Sequence, residues 1–260
     1  MVRSAVPETS GSDGLSGESL TSLDKALALL TSFDASRRPL GVTELARRAG
    51  IPKSTAHRLL AVLLHWDLVV REGTMYVPGP KLMELASQGR DRQFRDLALP
   101  HLQNLYDITR ATVCLAILRQ QDVLYLEKIV GYGSVMTPGR VGARTRALSS
   151  PLGMVMLAHR DLVGYRDAIP RLPDVAQGAG IDLGALRLQL ERIRRDGVAY
   201  GDPVSGIASI AAPVISPTLG LLGAVSLSGS PQRFVPSQVV LQLRTATVRI
   251  ARSFTAAFLD

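Results

Sequence analysis

The chain has 260 residues, which is long enough for one or two domains that each bury a core of their own. Hydrophobic residues make up 46% of the sequence, so the composition is that of a globular protein rather than a disordered one. The only cysteine, Cys114, excludes an internal disulfide and suits a reducing cytoplasm. No run of about 18 apolar residues occurs, which argues against a membrane span, and the formal net charge of +8 favours acidic partners.

The first 19 residues differ in composition from the rest of the chain. They read MVRSAVPETSGSDGLSGES, which is rich in serine, glycine, proline and acidic residues and has no apolar periodicity. The stretch also lacks the apolar centre and basic flank of a signal peptide. We therefore expect residues 1–19 to form a disordered tail.

Residues 20–34 predict a first helix. Thr21 or Ser22 can cap its start. The apolar residues that recur at helical spacing are Leu23, Leu27, Leu30 and Phe33. These positions are expected to form the side of the helix that packs into a core.

A turn and a second, shorter helix are predicted next. Pro39 and Gly41 indicate a turn that leads into a short extended segment. Thr43 can cap the helix ELARRAG, with Glu44 favourably placed at its positive end. Gly50 is expected to end this helix in a left-handed conformation.

The segment IPKSTAHRLL, residues 51–60, predicts a helix with two different sides. At 100° per residue, the apolar side is formed by Ala56, Leu59, Leu60 and Leu63. The opposite side carries Ser54, His57, Arg58 and Ala61, with Lys53 and Thr55 flanking it. Hydrogen-bond donors at a helix start, backed by an apolar side, are typical of a helix that presents its front end to a polyanion.

A β-hairpin is predicted after this helix, because two alternating runs, Leu68 to Arg71 and Met75 to Val77, flank the turn residues Glu72 and Gly73. Helix, strand, short helix, glycine turn, polar-fronted helix and hairpin together indicate a winged helix-turn-helix domain, which we place at residues 20–80. The alternative is an ordinary small α/β subdomain whose helix is polar on the outside.

A winged helix-turn-helix would bind duplex DNA through its polar-fronted helix. A major groove about 12 Å wide admits such a helix. Lys53, Ser54 and Thr55 can bond phosphates, whereas His57 and Arg58 are long enough to reach base edges. The hairpin would lie along the neighbouring backbone or minor groove. The candidate DNA-binding residues are Thr43, Lys53, Ser54, Thr55, His57, Arg58 and Arg71.

Residues 81–110 predict further helix, since their apolar residues recur mostly at three-to-four spacing. Pro100 is expected to kink this helix or to mark a boundary within it. We interpret residues 81–110 as linker helices that join two domains and pack on themselves in a dimer. The alternative is a plain core helix of the second domain.

From Thr112 onward the hydrophobic period changes to that of strands. Residues 112–130 predict two strands around Gln120, Gln121 and Asp122, and residues 206–230 predict two more. Helical segments lie between these pairs, and a long amphipathic helix from Pro236 to Phe258 follows them. Strands, then helices, then strands indicate an antiparallel sheet with helices packed on it, so we expect an α+β domain at residues 111–260.

Catalytic and metal-binding motifs are missing from the sequence. It contains no GxSxG nucleophile elbow and no phosphate-binding glycine loop. The four histidines have no metal-ligand spacing, and Cys114 lies in an apolar strand as expected of a small buried hydrophobe. We therefore expect no metal and no cofactor. We also expect no enzymatic activity, because no base is partnered to a serine.

Small polar residues at the ends of apolar strands point instead to a ligand pocket. Ser226 and Ser228 alternate on one strand and so face the same side. Ser209 lies on the neighbouring run, and Asp202 lies in the loop before it. A pocket lined by such small polar side chains would bind an organic ligand without attacking it. The alternative is that Ser226 and Ser228 line the solvent face of a sheet.

A second polar segment, GARTRALSSPLG at residues 142–153, combines a glycine-rich turn with a helix start. Arg144 and Arg146 belong to the turn, and Ser149 and Ser150 precede the helix. The free backbone N–H groups of such a helix start could hold a carboxylate or phosphate.

These motifs, taken in order, resemble the IclR family of bacterial transcription regulators from about Ser22 to Phe254. LDKALALLTSF, TELARRAGIPKSTAHRLLAVL and YVPGPKLMELA resemble its winged-helix domain. VGARTRALSSPLGMVMLA, RRDGVAYGDPVSGIASIAAPV and GAVSLSG resemble its effector domain, a GAF-like α/β fold. The resemblance implies a homodimer, often paired into a homotetramer, that binds palindrome-like double-stranded operator DNA and responds to a small-molecule effector.

The resemblance also implies an effector pocket, which falls on Gly142, Ala143, Arg144, Met154, Asp202, Ser209, Ser226 and Ser228. Several positions depart from the usual family pattern. Asp202 replaces a frequent glutamate and Ser209 a frequent cysteine, while Arg146 replaces a common proline. Met154 stands where a lysine is common, which favours a more apolar ligand unless this side chain faces the core.

We therefore predict a cytoplasmic, sequence-specific DNA-binding regulator controlled by a small, carboxylate-bearing effector. Repression is the favoured mode, with activation as the open alternative. The rival interpretation is a small-molecule enzyme with an accessory winged-helix module. A third is a DNA-binding protein whose pocket stays without a ligand.

Overall fold

A computed structural model of the protein describes residues 20–33, 38–131, 139–160, 181–201 and 206–259. The chain divides into two compact units, whose boundary lies between Gln88 and Gly89. The predicted tail at residues 1–19 lies outside the described residues.

The first unit contains four helices and a three-stranded antiparallel sheet within its described part. The helices are α1 (Ser22–Thr31), α2 (Val42–Arg48), α3 (Lys53–His65) and α4 (Pro80–Ser87). The strands are β1 (Leu40–Gly41), β2 (Val69–Glu72) and β3 (Met75–Pro78), in the order β1-β3-β2. Leu29 of α1, Leu45 of α2 and Leu60 of α3 are fully buried in one core. This arrangement confirms the predicted winged helix-turn-helix.

The first helix begins as predicted but buries a different side. Thr21 and Asp24 form a reciprocal capping box at its start. Leu29 is fully buried, whereas Leu23 and Leu27 are 68% and 50% exposed. The expectation that Leu23 and Leu27 face the core was therefore wrong. Leucines lie on more than one side of this helix, and packing against α3 selects the side with Leu29.

The second helix starts two residues earlier than a cap at Thr43 would place it. Its N-cap is Gly41, and Thr43 is its second residue, so Thr43 does not cap it. Gly41 pairs with Met75 in the sheet and is still extended, so the chain enters the helix directly from β1. The left-handed conformation predicted at Gly50 is present, with φ of 64°.

The predicted hairpin is confirmed, with Glu72 opposite Met75 and Gly73 in a left-handed turn. The helical segment after it divides at Gly89. α4 has no buried residue, whereas α5 (Arg90–Thr109) packs into the core of the second unit. Pro100 lies inside α5 without ending it. α5 therefore matches the core-helix interpretation of this segment.

The second unit contains a six-stranded sheet in which all paired strands are antiparallel, as predicted. The strands are β4 (Thr112–Arg119), β5 (Asp122–Ile129), β6 (Arg144–Arg146), β7 (Ala199–Tyr200), β8 (Ala208–Ser216) and β9 (Gly220–Gly229). Their order is β6-β5-β4-β9-β8-β7. Among the described residues, the helices after α5 are α6 (Pro151–Ala158), α7 (Leu183–Asp196) and α8 (Val240–Leu259), with short 3-10 turns at Ala147–Ser149 and Pro236–Val239.

Helices cover both faces of this sheet. α5 and α8 pack on the face that carries Val113 and Leu115 of β4. α6 and α7 pack on the opposite face, with Cys114 and Ala116. We call the face that carries Cys114 and Ala116 the α6 face. No helix in the described ranges is long and apolar enough to cross a membrane.

Replacing Leu60 by alanine should lower the free energy of unfolding of the first unit by about 2–5 kcal/mol, because Leu60 is fully buried. Urea denaturation followed by fluorescence of Trp66, the only tryptophan of the chain, would measure this change. Val62→Ala is the matched control, since Val62 is exposed on the same helix and should change stability by roughly 0.5 kcal/mol or less. Equal effects of the two substitutions would contradict the core assignment.

Candidate DNA interface and effector site

Helix α3 separates its apolar and polar residues as the sequence predicted. Its buried residues are Ala56, Leu59, Leu60 and Leu63. Lys53, Ser54, His57 and Arg58 are exposed, and Thr55 is half-buried. The polar residues therefore form one accessible surface, held outward by the packing of the leucines.

The start of α3 is open to an acceptor from outside. Its N-cap is Pro52, which makes no side-chain capping hydrogen bond. The first backbone N–H groups of a helix have no partner within the helix, and they carry the positive end of its dipole. An uncapped start that is flanked by Lys53 and Ser54 suits a phosphate oxygen.

The positive charges of the first unit are not equally available. Glu44 binds the guanidinium groups of Arg47 and Arg48 at 2.8 and 2.7 Å. These hydrogen bonds lower the pKa of the Glu44 carboxyl to about 2, so it stays charged at neutral pH. Within the described part of the chain, Lys53 and Arg58 take part in no ion pair. Lys53 and Arg58 therefore give α3 positive charge that no acidic side chain of the described residues compensates.

The remaining two DNA-binding candidates lie on neighbouring elements of the same unit. Thr43 is exposed in the first turn of α2. Arg71 is exposed on β2, and its Nε donates a hydrogen bond to the Gly73 carbonyl at 2.8 Å. That bond holds the Arg71 side chain beside the hairpin turn.

The three serines of the predicted pocket lie together on the sheet of the second unit. Ser209 of β8 is directly opposite Ser228 of β9, and Ser226 lies two residues before Ser228 on the same face. That face is the α6 face, because Ser226 is also opposite Cys114. Ser226 and Ser228 are only 5% and 7% exposed, which rules out the alternative that they line a solvent face.

Cys114 lies between Ser226 and Lys128 in a cross-strand row. Burial raises the pKa of the Cys114 thiol to about 11, although Lys128 and a hydrogen bond with Ser226 act in the opposite direction. The thiol is therefore neutral at physiological pH and acts as a wall of the site rather than as a nucleophile.

A glycine marks where the chain passes over Ser209. The N–H of Gly201 donates to the Ser209 carbonyl at 2.9 Å. A Cβ at position 201 would lie 2.0 Å from the Ser209 hydroxyl and 3.1 Å from the Pro151 ring, so a side chain there would force the Ser209 hydroxyl to move. Asp202 follows directly in the chain but lies outside the described residues.

The turn that contains Gly142 and Ala143 is fastened to β5. Gly142 is left-handed, with φ of 82°, and its N–H donates to the Tyr125 carbonyl at 2.9 Å. The Tyr125 N–H in turn donates to the Ala143 carbonyl at 3.1 Å. Lys128 donates from Nζ to the Gly139 carbonyl at 2.7 Å, next to this turn. Tyr125 and Lys128 thus connect the turn to the strand beside Cys114.

Two predicted pocket residues are placed differently from the serines. Arg144 is opposite Leu124 on the edge strand β6, and Leu124 packs against the core of α5 and α8. Arg144 is thus assigned to the sheet face opposite the serines. Met154 is buried on α6 in the cluster that contains Cys114, so it faces the core on the α6 face.

The start of α6 is less open than its sequence suggested. The Ser150 hydroxyl caps the helix by accepting from the Gly153 N–H at 3.1 Å, and Pro151 has no N–H to offer. The expected anion site at Ser149 and Ser150 is therefore largely occupied by the chain itself. Among the described residues, no group of three or more histidine, cysteine, aspartate or glutamate side chains could hold a metal ion.

Sequence reasoning missed three residues of this site: Thr112, Tyr125 and Lys128. Thr112 is opposite Ser228, and Lys128 is opposite Cys114. The alternation of β4 already put Thr112 and Cys114 on one face. Their adjacency to the serines depended on the pairing of β4 with β9, which are separated by about a hundred residues.

Cys114 should resist alkylation by iodoacetamide in the folded protein at pH 9. A thiol with a pKa of about 11 has about fifty-fold less thiolate at this pH than one with the ordinary value of 9.0. Mass spectrometry of native and guanidinium-unfolded protein would compare the two labelling rates. Because the folded pKa is raised, the thiol's contribution to stability is complete below pH 9 and is lost as the pH rises towards 11. Equal labelling rates in the two states would contradict its burial.

Comparisons with known proteins agree with this geometry. The family profile of the IclR helix-turn-helix domain matches residues 22–73, and that of the bacterial transcriptional regulator IclR C-terminal domain matches residues 90–253. The HTH-type transcriptional regulator KdgR of Escherichia coli K12 is 27% identical over 252 residues, which cover 90% of this chain and 92% of KdgR. The transcriptional repressor IclR of the same organism is 24% identical over 246 residues, covering 91% and 89% of the two chains.

A solved structure is similar over the same length. The crystal structure of an IclR homolog complexed with 4-hydroxybenzoate, from Microbacterium hydrocarbonoxydans, has a TM-score of 0.80 and 26% identity. The match covers 91% of this chain and all of that one. The two family profiles together span both units described above. The chain belongs to the IclR family of bacterial transcriptional regulators.

Proposed function

We propose that this protein is a repressor that binds operator DNA through α3 and releases it when a small, carboxylate-bearing effector binds the second unit. The exposed polar side of α3 carries the DNA-binding part of this proposal, because its cations have no acidic partner within the described residues. The name of a relative, the transcriptional repressor IclR, supports repression over activation.

At the operator, α3 would enter the major groove with its N-terminal turn foremost. Lys53, Ser54 and Thr55 lie in that first turn and would contact phosphates. His57 and Arg58 lie one turn further on the exposed side and would read base edges. Thr43 and Arg71 would add phosphate contacts on either side.

The effector would bind against the α6 face of the sheet. Ser209, Ser226 and Ser228 offer hydroxyls there, and Gly142 and Ala143 lie in the turn fastened to β5. The 4-hydroxybenzoate bound by a related protein supports a carboxylate ligand, and we propose Asp202 and Met154 as further contacts. Arg144 would act only at the edge of the site, since it is assigned to the other sheet face.

Binding without turnover is the expected role of this site. Burial keeps the Cys114 thiol protonated, and a thiol attacks only as the thiolate. The protein would act in the cytoplasm as a homodimer, or as a homotetramer made of two dimers, so that two recognition helices meet the two halves of an operator.

The response requires that the effector prefers one of two states of the assembly. Glu127 of β5 accepts hydrogen bonds from Arg95 of α5 at 2.8 Å and from the Lys128 N–H at 2.8 Å. α5 begins just after the boundary between the units. We propose that this contact carries a change at Lys128 to α5 and so to the DNA-binding units.

Arg58→Ala should weaken operator binding by roughly 1–3 kcal/mol if Arg58 reads a base, and the loss should be largest for the matching base. Operators selected from genomic fragments, followed by fluorescence anisotropy at fixed salt, would measure this change. Arg195→Ala removes the same charge from an exposed arginine of α7 in the second unit and serves as the control. Equal losses from both variants would show that only net charge matters.

Ser226→Val should remove the response to the effector while leaving operator binding unchanged. The substitution removes a buried hydroxyl from the polar row and puts two methyl groups in its place, which should weaken binding of the effector by about tenfold or more. Thermal shift and operator release would be measured with carboxylates in matched pairs, with and without a hydroxyl: 4-hydroxybenzoate and benzoate, lactate and propionate. A variant that still responds like the wild type would place the pocket elsewhere.

A further inference from the structure

Thr112 at the start of β4 has a hydroxyl for which the fold provides no partner. The residue is 1% exposed, and its Oγ1 makes no hydrogen bond within the described part of the protein. A buried hydroxyl without a partner costs about 1–3 kcal/mol relative to one that is hydrogen-bonded. Among the described residues, Gln242 Oε1 on α8 is the other buried polar atom without a hydrogen-bond partner. It lies away from the serines.

Two other buried hydroxyls of the second unit have partners of their own. Thr247, also buried, donates from its hydroxyl to the Arg244 carbonyl at 3.0 Å. The buried Ser216 hydroxyl accepts from Thr255 at 2.8 Å and from the Leu219 N–H at 3.1 Å. Thr112 differs from these two residues, and a partner from outside the chain would satisfy its hydroxyl.

The position of Thr112 indicates where that partner would lie. Thr112 is directly opposite Ser228, which is directly opposite Ser209, so three hydroxyl residues form a row across β4, β9 and β8. Directly opposite side chains in an antiparallel pair have Cβ atoms about 4.5–5.5 Å apart. One ligand oxygen can therefore reach Thr112 and Ser228 together.

The neighbouring row is chemically different. There Cys114 lies directly opposite Ser226, and Lys128 lies on the far side of Cys114 next to the turn at Gly142. The cation of this site is thus one row away from Thr112. A carboxylate would be favoured near Lys128, whereas an uncharged oxygen that can both donate and accept suits the row of three hydroxyls.

We propose that Thr112 is a specificity-determining residue of the effector site, and that its hydroxyl bonds an uncharged hydroxyl or carbonyl oxygen of the effector. This inference rests on the proposed function, because it assigns a second polar group to the same ligand. The effector class becomes a hydroxy- or oxo-carboxylic acid rather than a plain carboxylic acid.

Thr112→Val keeps the shape of the side chain and removes the hydroxyl. In the absence of ligand, its melting temperature should equal or exceed that of the wild type, since an unpartnered polar atom is lost. Its affinity for the hydroxylated member of a matched carboxylate pair should fall about tenfold, the equivalent of one hydrogen bond. Its affinity for the unhydroxylated member should not change. Calorimetric titration would measure both affinities.

Thr247→Val is the matched control, because Thr247 is buried and its hydroxyl has a partner. It should lower the melting temperature and leave both affinities unchanged. The proposal is overturned if Thr112→Val destabilises the protein as much as Thr247→Val does, or if it binds the hydroxylated carboxylate as tightly as the wild type does. Failure of the proposed function would give a different result, because the wild-type protein would then bind no carboxylate or no operator. The comparison of melting temperatures would still report whether the Thr112 hydroxyl has a partner.

Discussion

The burial of one side of α3 is the interaction on which the DNA-binding surface depends. Ala56 and Leu60 are fully buried in the same core as Leu29 of α1 and Leu45 of α2. Rotating α3 about its axis would expose these side chains. Burial of a leucine side chain contributes about 1.5–3 kcal/mol. The polar residues at its start are therefore held outward with little freedom to turn. The β2–β3 hairpin packs into the same core through Tyr76.

In the second unit, the equivalent constraint is a sheet covered by helices on both faces. A polar side chain on such a sheet must find a partner or remain at a cost, because water does not reach it. Cys114 and Ser226 lie directly opposite each other, and Lys128 bonds the carbonyl of Gly139. Thr112 has no such partner within the described residues. A polar row inside an otherwise apolar sheet is thus a feature that stability alone does not explain, and ligand recognition gives it a physical reason.

Local chemistry determined most of the elements of this protein. The apolar spacing of α3 predicted its buried residues, because a helix repeats every 3.6 residues whatever surrounds it. Gly50 and Gly73 marked the turns, since a left-handed backbone strongly favours glycine. The alternating runs of β4, β5, β8 and β9 predicted an antiparallel sheet, and the alternation of Ser226 and Ser228 placed them on one face.

The tertiary structure decided which side of each element is covered and which strands are neighbours. Leu23 and Leu27 look like core residues by spacing, yet α1 turns Leu29 inward because α3 packs there. Arg144 is near Gly142 in the chain, but the register with Leu124 assigns it to the other face. Thr112 joins the serines only because β4 pairs with β9, a strand about a hundred residues later. The position of a residue within its helix or strand determines where its side chain points relative to its own backbone. The contacts of that side chain depend on partners that are distant in sequence.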